Sequence, residues 1–334
     1  MPHTAPKAVK QCNNQPFATV PLTGNTVPLY SAIFRSWLTQ AFGENGYIAG
    51  PAQYGAVLRR LDKDAHESPV IHPVHTRTAL HGHNTYRFDL ANSDNEAIEI
   101  NGKGWNIVHN PDCHFRRPQS SQPLPKPVDN PVQLYKFLER LFSIKESDAH
   151  ALSVWLVAAM LPDLTPPILM ITGKKCGEAA GMLRNLIDPV IHPTLPMHTT
   201  KQQFGKQALI NNVLAFCLDY DLSPKRTAIV NQLSTGMDVV LKDVSKSREE
   251  TTTKVHRPII LAAAKEIKIS ETQVVIEINE VLETHLDQVF ATLLHAIVRG
   301  IREMTRLEKP NTPIYPDVLP TPPHQVFHAQ APYT

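Results

Sequence analysis

The second half of the chain alternates short apolar runs with longer segments of helical periodicity. Apolar runs of strand length occur at four places, 166–172, 213–216, 258–261 and 273–278. Strands that alternate with helices predict a mostly parallel sheet with helices on both faces, so we predict an α/β domain over residues 132–306. The clearest helix of this domain follows Thr284-x-x-Asp287, which resembles a capping box and precedes a long apolar stripe.

Three further segments of this domain have helical patterns. Val132–Phe142 opens the domain, and Lys225–Leu233 lies between two of the predicted strands. The segment Asp148–Leu161 is apolar on nearly every face. A helix without a polar face is expected inside a core, so we predict that this helix is buried.

The first half begins with two helical patterns and then changes to short strands. Apolar side chains recur at helical spacing from Ser31 to Phe42, and a second helix is predicted at Gln53–Leu61. Four strand patterns follow, at 86–90, 97–100, 105–108 and 113–115. The turn residues Asn101-Gly102 between the second and third strands indicate a hairpin. These elements predict a smaller α+β module over residues 28–120.

Three segments rich in proline or polar residues separate or flank the two parts. Residues 1–27 are polar and contain scattered prolines, so we predict a flexible arm. Six prolines fall within residues 111–131, and we place the boundary between the parts in an extended connector at 121–131. Residues 307–334 are also proline-rich and are expected to be disordered.

The run Gly173-Lys174-Lys175-Cys176-Gly177 occupies the place of a phosphate-binding loop between a predicted strand and a predicted helix. The Walker A loop reads GxxxxGK followed by Ser or Thr in this setting. Its backbone N–H groups cradle phosphates, its lysine neutralises charge and its hydroxyl holds magnesium. Here Glu178, Ala179 and Ala180 stand at the last three positions. The scaffold is present and the chemically active side chains are absent.

The substitution at Glu178 opposes phosphate binding directly. Two like charges about 6 Å apart repel by roughly 3 kcal/mol at an effective dielectric constant near 20, or about a hundredfold in affinity. Lys174 and Lys175 offer a partial offset, so a phosphate would have to rely on Gly173, Lys174, Lys175 and Gly177. From these residues alone, an ordinary strand–turn–helix unit of no nucleotide-binding ancestry is the default interpretation.

Composition narrows the class of protein without naming a partner. A formal charge of +2 gives no overall attraction to a polyanion, and 42% hydrophobic content is enough for one large core or two smaller ones. Four scattered cysteines fit a reducing compartment, and residues 1–15 contain no apolar signal core. The longest apolar run, Val154–Leu161, is too short to span a bilayer. We therefore predict a cytoplasmic protein without a membrane partner.

Several segments, in this order, together resemble one protein family. They are Phe34–Leu38, Glu96–Ile100 with Gly104-Trp105, Phe115–Pro118 with Leu124–Pro127, Ile168–Gly173, Leu186–Pro189, Thr235-Gly236 and Arg257–Leu261. Their order is similar to that in bacterial, phage- and plasmid-associated P-loop ATPases, which are AAA+-like and related to viral primase-helicases. The resemblance covers about residues 28–305. It implies a P-loop NTPase-like sheet preceded by the smaller module, and a role in DNA replication or maintenance of a mobile element.

The resemblance also implies where the family's functional residues would fall. The loop lysine and its hydroxyl partner fall on Ala179 and Ala180, and the Walker B aspartate falls on Cys217. The polar sensor residue falls on Ala262, and a later arginine falls near Gln273. None of these side chains can do the work of the residue it replaces. We therefore expect no catalytic residues, no metal and no bound cofactor.

Two other groups of residues are weaker candidates for function. Four closely spaced histidines are candidate zinc ligands: His72, His75, His81 and His83. No acidic residue is spaced to complete a zinc site with them, so we expect solvated histidines in a loop. Arg116 and Arg117 follow a predicted strand and are candidates for contact with DNA phosphates. The alternative is that they lie at a solvated strand edge and form an ion pair. A second basic stretch, Lys242, Lys246, Arg248 and Lys254, is interrupted by acidic residues and equally fits an ordinary charged surface.

These observations predict a catalytically inactive P-loop ATPase homologue that acts as a binding or scaffold subunit. Its expected partners are DNA, an active paralogue or further copies of itself. One alternative is an active ATP- and magnesium-dependent helicase that uses Lys174 or Lys175 with Asp219. The other is a nucleotide sensor that binds through backbone N–H groups around Gly173 and Gly177 without hydrolysis.

Overall fold

The structure of this chain is a computed structural model. It describes residues 7–10, 16–21, 23–44, 50–70, 72–128, 132–195, 200–218, 222–242, 250–283 and 285–308. The disordered tail was predicted at 307–334, but Leu307 and Glu308 are the last two residues of a helix. The rest of that tail lies outside the described residues, as do Thr284 of the predicted capping box, Asp219, Lys246 and Arg248.

The first 128 residues form short strands around two helices. The elements are β1 (Lys7–Lys10), β2 (Pro16–Thr19), β3 (Thr26–Pro28), α1 (Ala32–Glu44), α2 (Pro51–Glu67), β4 (Val74–His75), β5 (Thr78–Leu80), β6 (Thr85–Asp89), β7 (Glu96–Asn101), β8 (Gly104–His109) and β9 (His114–Phe115). Strands β5 to β8 form an antiparallel sheet in chain order, and β4 pairs with β9 in parallel. Asn101 pairs with Gly104, which confirms the predicted hairpin.

The prediction of a flexible arm is wrong for part of residues 1–27. Strands β1, β2 and β3 form an antiparallel sheet, and the side chains of Phe17, Ala18 and Val27 are buried. Ala18 and Val27 pack in one cluster with Phe34 of α1 and Leu61 of α2. A few apolar positions are enough here because the two amphipathic helices supply the rest of the small core.

The remaining residues build a parallel sheet with helices and a separate hairpin. The elements are α3 (Leu134–Phe142), α4 (Glu146–Met160), β10 (Leu169–Thr172), α5 (Cys176–Ile187), α6 (Lys201–Ile210), β11 (Leu214–Leu218), α7 (Pro224–Thr235), β12 (Met237–Lys242), β13 (Glu250–Val255), β14 (Ile259–Ala263), β15 (Val274–Glu277) and α8 (Leu286–Glu308). Helix α6 and the antiparallel pair β12–β13 were not among the predicted elements.

The central sheet has the strand order β11-β14-β10-β15, and every neighbouring pair is parallel. Successive side chains of each strand enter different cores, as Leu169 and Met170 of β10 illustrate. Helices α3, α4, α5 and α8 contribute to the core on one face, while α6 and α7 contribute to the core on the other. Burial on both faces explains why β10 and β14 are continuous apolar runs. The predicted mixed α/β class is confirmed.

Helix α4 departs from its prediction on one side. Leu152, Trp155 and Leu156 are buried, but Val154 is 69% exposed. The exposed side of α4 borders a groove of about 440 Å³ between α3 and α8. An apolar pattern on every face therefore overstated the burial of this helix. Within the described residues, no helix combines the length and apolar character needed to cross a lipid bilayer.

The largest core runs across the predicted connector. Tyr86, Phe88 and Ile98 of the first sheet belong to the same buried cluster as Leu293 and Ile297 of α8. The described part of the connector, residues 121–128, is itself packed, because Leu124 is buried and its N–H donates to the Leu90 carbonyl. The sheet β5–β8 of the first predicted part thus shares this core with the second part, whereas α1 and α2 pack in the separate smaller cluster with β2 and β3.

Candidate functional site: the glycine turn

The glycine turn between β10 and α5 is held closed by the end of β15. The Lys175 N–H donates to the Ile278 carbonyl at 3.1 Å, and the Ile278 N–H donates to the Thr172 carbonyl at 2.8 Å. The Lys174 N–H donates to Oδ1 of Asn279 at 3.0 Å. Two of the N–H groups that a phosphate would need in a loop of this kind are therefore already bonded within the protein.

Gly173 is required by the geometry of this turn. Its φ is +98°, in a region that residues with a Cβ rarely adopt. A Cβ placed there would lie 2.5 Å from the Ile278 carbonyl oxygen. The close approach of β15 thus explains the first glycine of the motif without any ligand.

The charged side chains of the turn are paired with one another or exposed. Lys175 Nζ lies 2.6 Å from Oε2 of Glu178, and both side chains are about half exposed. Among the described residues, Lys174 has no carboxylate within salt-bridge distance of its ammonium group. Glu178 therefore neutralises the nearer lysine of the turn, and Lys174 alone keeps a charge available to a ligand.

Ala179 and Ala180 face the core instead of the turn. Helix α5 begins at Cys176, and both alanines are completely buried in the cluster beneath the sheet. The Ala179 N–H donates to the Lys175 carbonyl at 2.9 Å, as a helical bond. A longer side chain at either position would have to enter this packed interior.

The positions aligned with the Walker B aspartate and the sensor residue lie side by side next to the turn. Cys217 of β11 pairs in register with Ala262 of β14, which in turn pairs with Ile171 of β10. A Cβ added to Gly177 would lie 3.3 Å from Sγ of Cys217. The structure thus brings together the glycine turn, Cys217 and Ala262 at the carboxyl end of the sheet.

Gln273 lies apart from this group and has a local structural role. Its Oε1 accepts from the N–H groups of Ile269 and Ser270, at 2.8 and 3.2 Å. Its Nε2 donates to the Ile267 carbonyl at 3.2 Å. Asn279, by contrast, contacts the turn but follows no motif, and only the tertiary placement of β15 identifies it.

The arginines predicted to contact DNA are packed into the first module. Arg117 donates through Nε and Nη2 to the two carboxylate oxygens of Asp89, at 2.7 and 2.6 Å. It also donates to the Thr23 carbonyl and to Oδ1 of Asn95. The Arg117 side chain is 10% exposed, and burial lowers the pKa of Arg116. These contacts fit the ion-pair alternative, and contact with DNA stays a prediction.

The histidines considered for a metal are dispersed. His72 packs edge-on against His114, with 4.9 Å between the ring centroids, and His81 Nδ1 lies 3.8 Å from Sγ of Cys113. His75 lies in a separate cavity described below. Within the described part of the chain, no three His, Cys, Asp or Glu side chains are grouped to hold a metal ion.

Comparison with known proteins gives no family assignment. No protein-family model matches the chain, and no curated protein matches it. One similar solved structure is the A-form apo structure of the NrS-1 C-terminal region, with a TM-score of 0.46, 11% identity, and coverage of 89% of this chain and 66% of that one. Another structure of the same region has a TM-score of 0.40, 12% identity, and coverage of 88% and 65%. These values assign no activity.

Proposed function

We propose that this chain is a P-loop ATPase homologue that neither binds nor hydrolyses ATP and acts as a binding or scaffold subunit. The single observation that carries the proposal is the closed glycine turn. The N–H groups of Lys174 and Lys175 donate to Asn279 and Ile278, so a phosphate would have to displace both acceptors. Each displaced acceptor would lose a hydrogen bond, at a net cost of about 1 kcal/mol or more.

The arrangement of the sheet supports the ancestry in this proposal. The strand before the glycine turn lies inside a parallel sheet, and the helix after the turn packs against that sheet. Cys217 and Ala262, which replace the aspartate and the sensor residue, lie at the same edge as the turn. In an unrelated parallel sheet, nothing would require Cys217 and Ala262 to lie at the same edge as the glycine turn.

The charges at the turn support the loss of nucleotide chemistry. Lys175 is paired with Glu178, Ala179 and Ala180 are inside the core, and Cys217 offers no carboxylate to magnesium. Lost metal and lysine contacts each remove a large part of the electrostatic stabilisation on which phosphoryl transfer depends. A subunit with this turn retains the shape of an ATPase domain for contacts with other molecules.

The test is titration calorimetry of the full chain with ATP and magnesium, together with a phosphate-release assay. We expect no saturable heat and no turnover above that of a Lys174→Ala variant. Tight binding without turnover would support a nucleotide sensor instead. Turnover that single-stranded DNA stimulates and that Lys174→Ala abolishes would establish the helicase alternative and overturn the proposal.

The scaffold part of the proposal has its own measurement. Sedimentation of the full chain, alone and with fluorescent single-stranded DNA, should reveal self-association or a DNA complex. Because the turn is closed, the result should be the same with and without ATP and magnesium. Self-association or DNA binding that requires ATP would contradict the proposed role, because it would mean that ATP occupies the glycine turn.

A further inference from the structure

A small polar cavity lies at the opposite end of the sheet from the glycine turn. It has a volume of about 180 Å³ and is bordered by residues that precede β11 and β14, together with residues of β4, β5 and the α4–β10 connection. The polar lining residues are His75, Thr76, Thr78, Asn212, His256 and Arg257. Because the strands are parallel, this amino end is separated from the turn by the length of the sheet.

The guanidinium group of Arg257 borders the cavity and is held by backbone carbonyls. Nε donates to the carbonyls of Ala208 and Asn211, both at 2.8 Å, and Nη1 donates to the His256 carbonyl at 2.9 Å. Within the described residues, Nη2 donates to no protein acceptor. A planar donor held in this way is pre-oriented for an oxygen ligand.

The other polar groups of the cavity also present unused donors. Asn212 accepts from the Thr78 hydroxyl at 3.4 Å, and its side-chain NH₂ donates to no acceptor in the described part of the chain. The His75 ring likewise forms no hydrogen bond to any described residue, although it lies against Phe115. Burial and the Arg257 charge lower the pKa of His75 to about 4, so at neutral pH the ring is uncharged and retains one N–H donor.

The charge around the cavity is positive and poorly compensated. Asp188 is the carboxylate near Arg257, yet it is shared with Arg77 at 3.2 Å and Arg184 at 3.7 Å. Burial lowers the pKa of Arg257 to about 10, which still leaves the group charged at neutral pH. By surface area Arg257 is partly buried, and a cation removed from water is stabilised by a nearby anion, because desolvation is then offset by charge pairing.

We propose that this cavity binds a phosphate-sized oxyanion. Arg257 Nη2, the Asn212 NH₂ and the His75 ring would donate to its oxygens, and Arg257 would supply the opposing charge. The volume of 180 Å³ lies below the ~300–1,000 Å³ of pockets that enclose drug-sized ligands, so a whole nucleotide does not fit. The inference does not depend on the proposed loss of ATP binding, because the two sites lie at opposite ends of the sheet.

The test is calorimetry of the full chain with potassium phosphate, against potassium chloride at matched ionic strength. We expect saturable binding, weakened by about tenfold or more in His75→Leu, as for the loss of one hydrogen bond to a charged ligand. His192→Leu is the matched control, because His192 is an exposed histidine outside the cavity, and its affinity should equal that of the wild type. Arg257→Lys should abolish binding.

Arg257 also donates to backbone carbonyls, so Arg257→Lys can fail to fold. In that case the comparison of His75→Leu with His192→Leu tests the proposal. Equal affinity in wild type, His75→Leu and His192→Leu would overturn the proposal. So would heat that rises with phosphate concentration without saturating, because phosphate also acts on most proteins without a site, by exclusion from their surface.

A second arm identifies the source of the phosphate group. Single-stranded oligonucleotides with a 5′-phosphate or a 5′-hydroxyl would be titrated in competition with inorganic phosphate. Competition by the 5′-phosphate form alone would support the cavity and identify a polynucleotide end as ligand. Binding of inorganic phosphate without competition would support a free anion. Absence of binding by either phosphate would contradict the proposal.

Discussion

Arg117 contacts a carboxylate that has little access to solvent, since Asp89 is completely buried. Replacing Arg117 by alanine would leave that charge with the Ala91 N–H as its remaining side-chain hydrogen bond. Breaking a buried ion pair from one side costs about 3–5 kcal/mol. We expect Arg117→Ala to lower the free energy of unfolding by about this amount in urea titration.

The exposed Arg35 provides the control for this prediction, because Arg35→Ala should change the free energy of unfolding by less than about 0.5 kcal/mol. Unchanged stability of Arg117→Ala, combined with weaker binding of DNA, would favour the DNA-contact interpretation over the structural one. The sequence offered both readings of this arginine. Only the tertiary position of Asp89 separates them.

His75 gives the protein a specific sensitivity to acid. Its pKa falls from 6.5 to about 4 on folding through burial and the Arg257 charge, and His256, whose pKa is also lowered by burial, lines the same cavity. The unfolded chain therefore binds the extra proton between pH 6.5 and 4, so stability decreases as pH falls through that window. The maximum loss is about 3 kcal/mol.

The measurement is the free energy of unfolding of wild type and His75→Leu between pH 4 and 7.5, in chloride buffer without phosphate. We expect the pH dependence to be shallower in His75→Leu, because this variant cannot take up the proton. His192→Leu should reproduce the wild-type slope. Parallel curves for wild type and His75→Leu would show that His75 keeps a normal pKa in the folded protein.

At the scale of elements, the glycine turn links β10, α5 and β15. Gly173→Ala would combine a positive φ with a clash at the Ile278 carbonyl. Gly82 has a similar φ of +83° but no atom within 4 Å of an added Cβ, so Gly82→Ala isolates the cost of the backbone conformation. That conformational cost is about 1–2 kcal/mol.

We expect Gly173→Ala to be less stable than Gly82→Ala by a further ~2 kcal/mol in urea titration, because overpacking against backbone cannot be relieved by rotating a side chain. Asn279→Ala should have a smaller effect, since it removes one acceptor from the Lys174 N–H. Equal losses in the two glycine variants would mean that β15 can move away from the turn.

The predictable elements were those whose pattern is set by local packing. Strands β10 and β14 of the central sheet are buried on both faces, so each forms a continuous apolar run. The paired strands β2 and β3 were not predicted, because their few apolar residues form a core only when they pack against α1 and α2. Asn279 was missed for a related reason, since its importance comes from a turn more than 100 residues earlier in the chain.

At the scale of the whole molecule, the proline-rich connector was a poor guide to how the interior is divided. Residues 122–128 form no helix or strand, and prolines 123, 125 and 127 cannot donate a backbone N–H there. The connector nevertheless packs through Leu124, and the large core contains side chains from both sides of it. Local composition indicates where helices and strands end. Whether two parts of a chain unfold cooperatively depends on how much buried surface they share.

Arg77 joins the first module, the connector and the sheet domain at one buried point. Its Nε donates to Asp188 at 3.2 Å, and its Nη1 donates to the Asp89 carbonyl at 3.2 Å. Its Nη2 donates to the Ser121 hydroxyl and the Gln122 carbonyl, at 2.9 and 3.0 Å. Arg77→Leu would leave all of these acceptors without this donor, and the Asp188 carboxylate and the Asp89 carbonyl among them belong to buried residues.

We therefore expect wild type to unfold in one transition by tryptophan fluorescence and circular dichroism, and Arg77→Leu to shift both signals together by about 3–5 kcal/mol. Arg306→Leu, which removes an exposed ion pair with Glu303, should shift them by less than about 1 kcal/mol. If Arg77→Leu separates the two signals, the parts on either side of the connector fold independently. The shared core would then be a contact between domains, and the boundary predicted at 121–131 would be a real division of the protein.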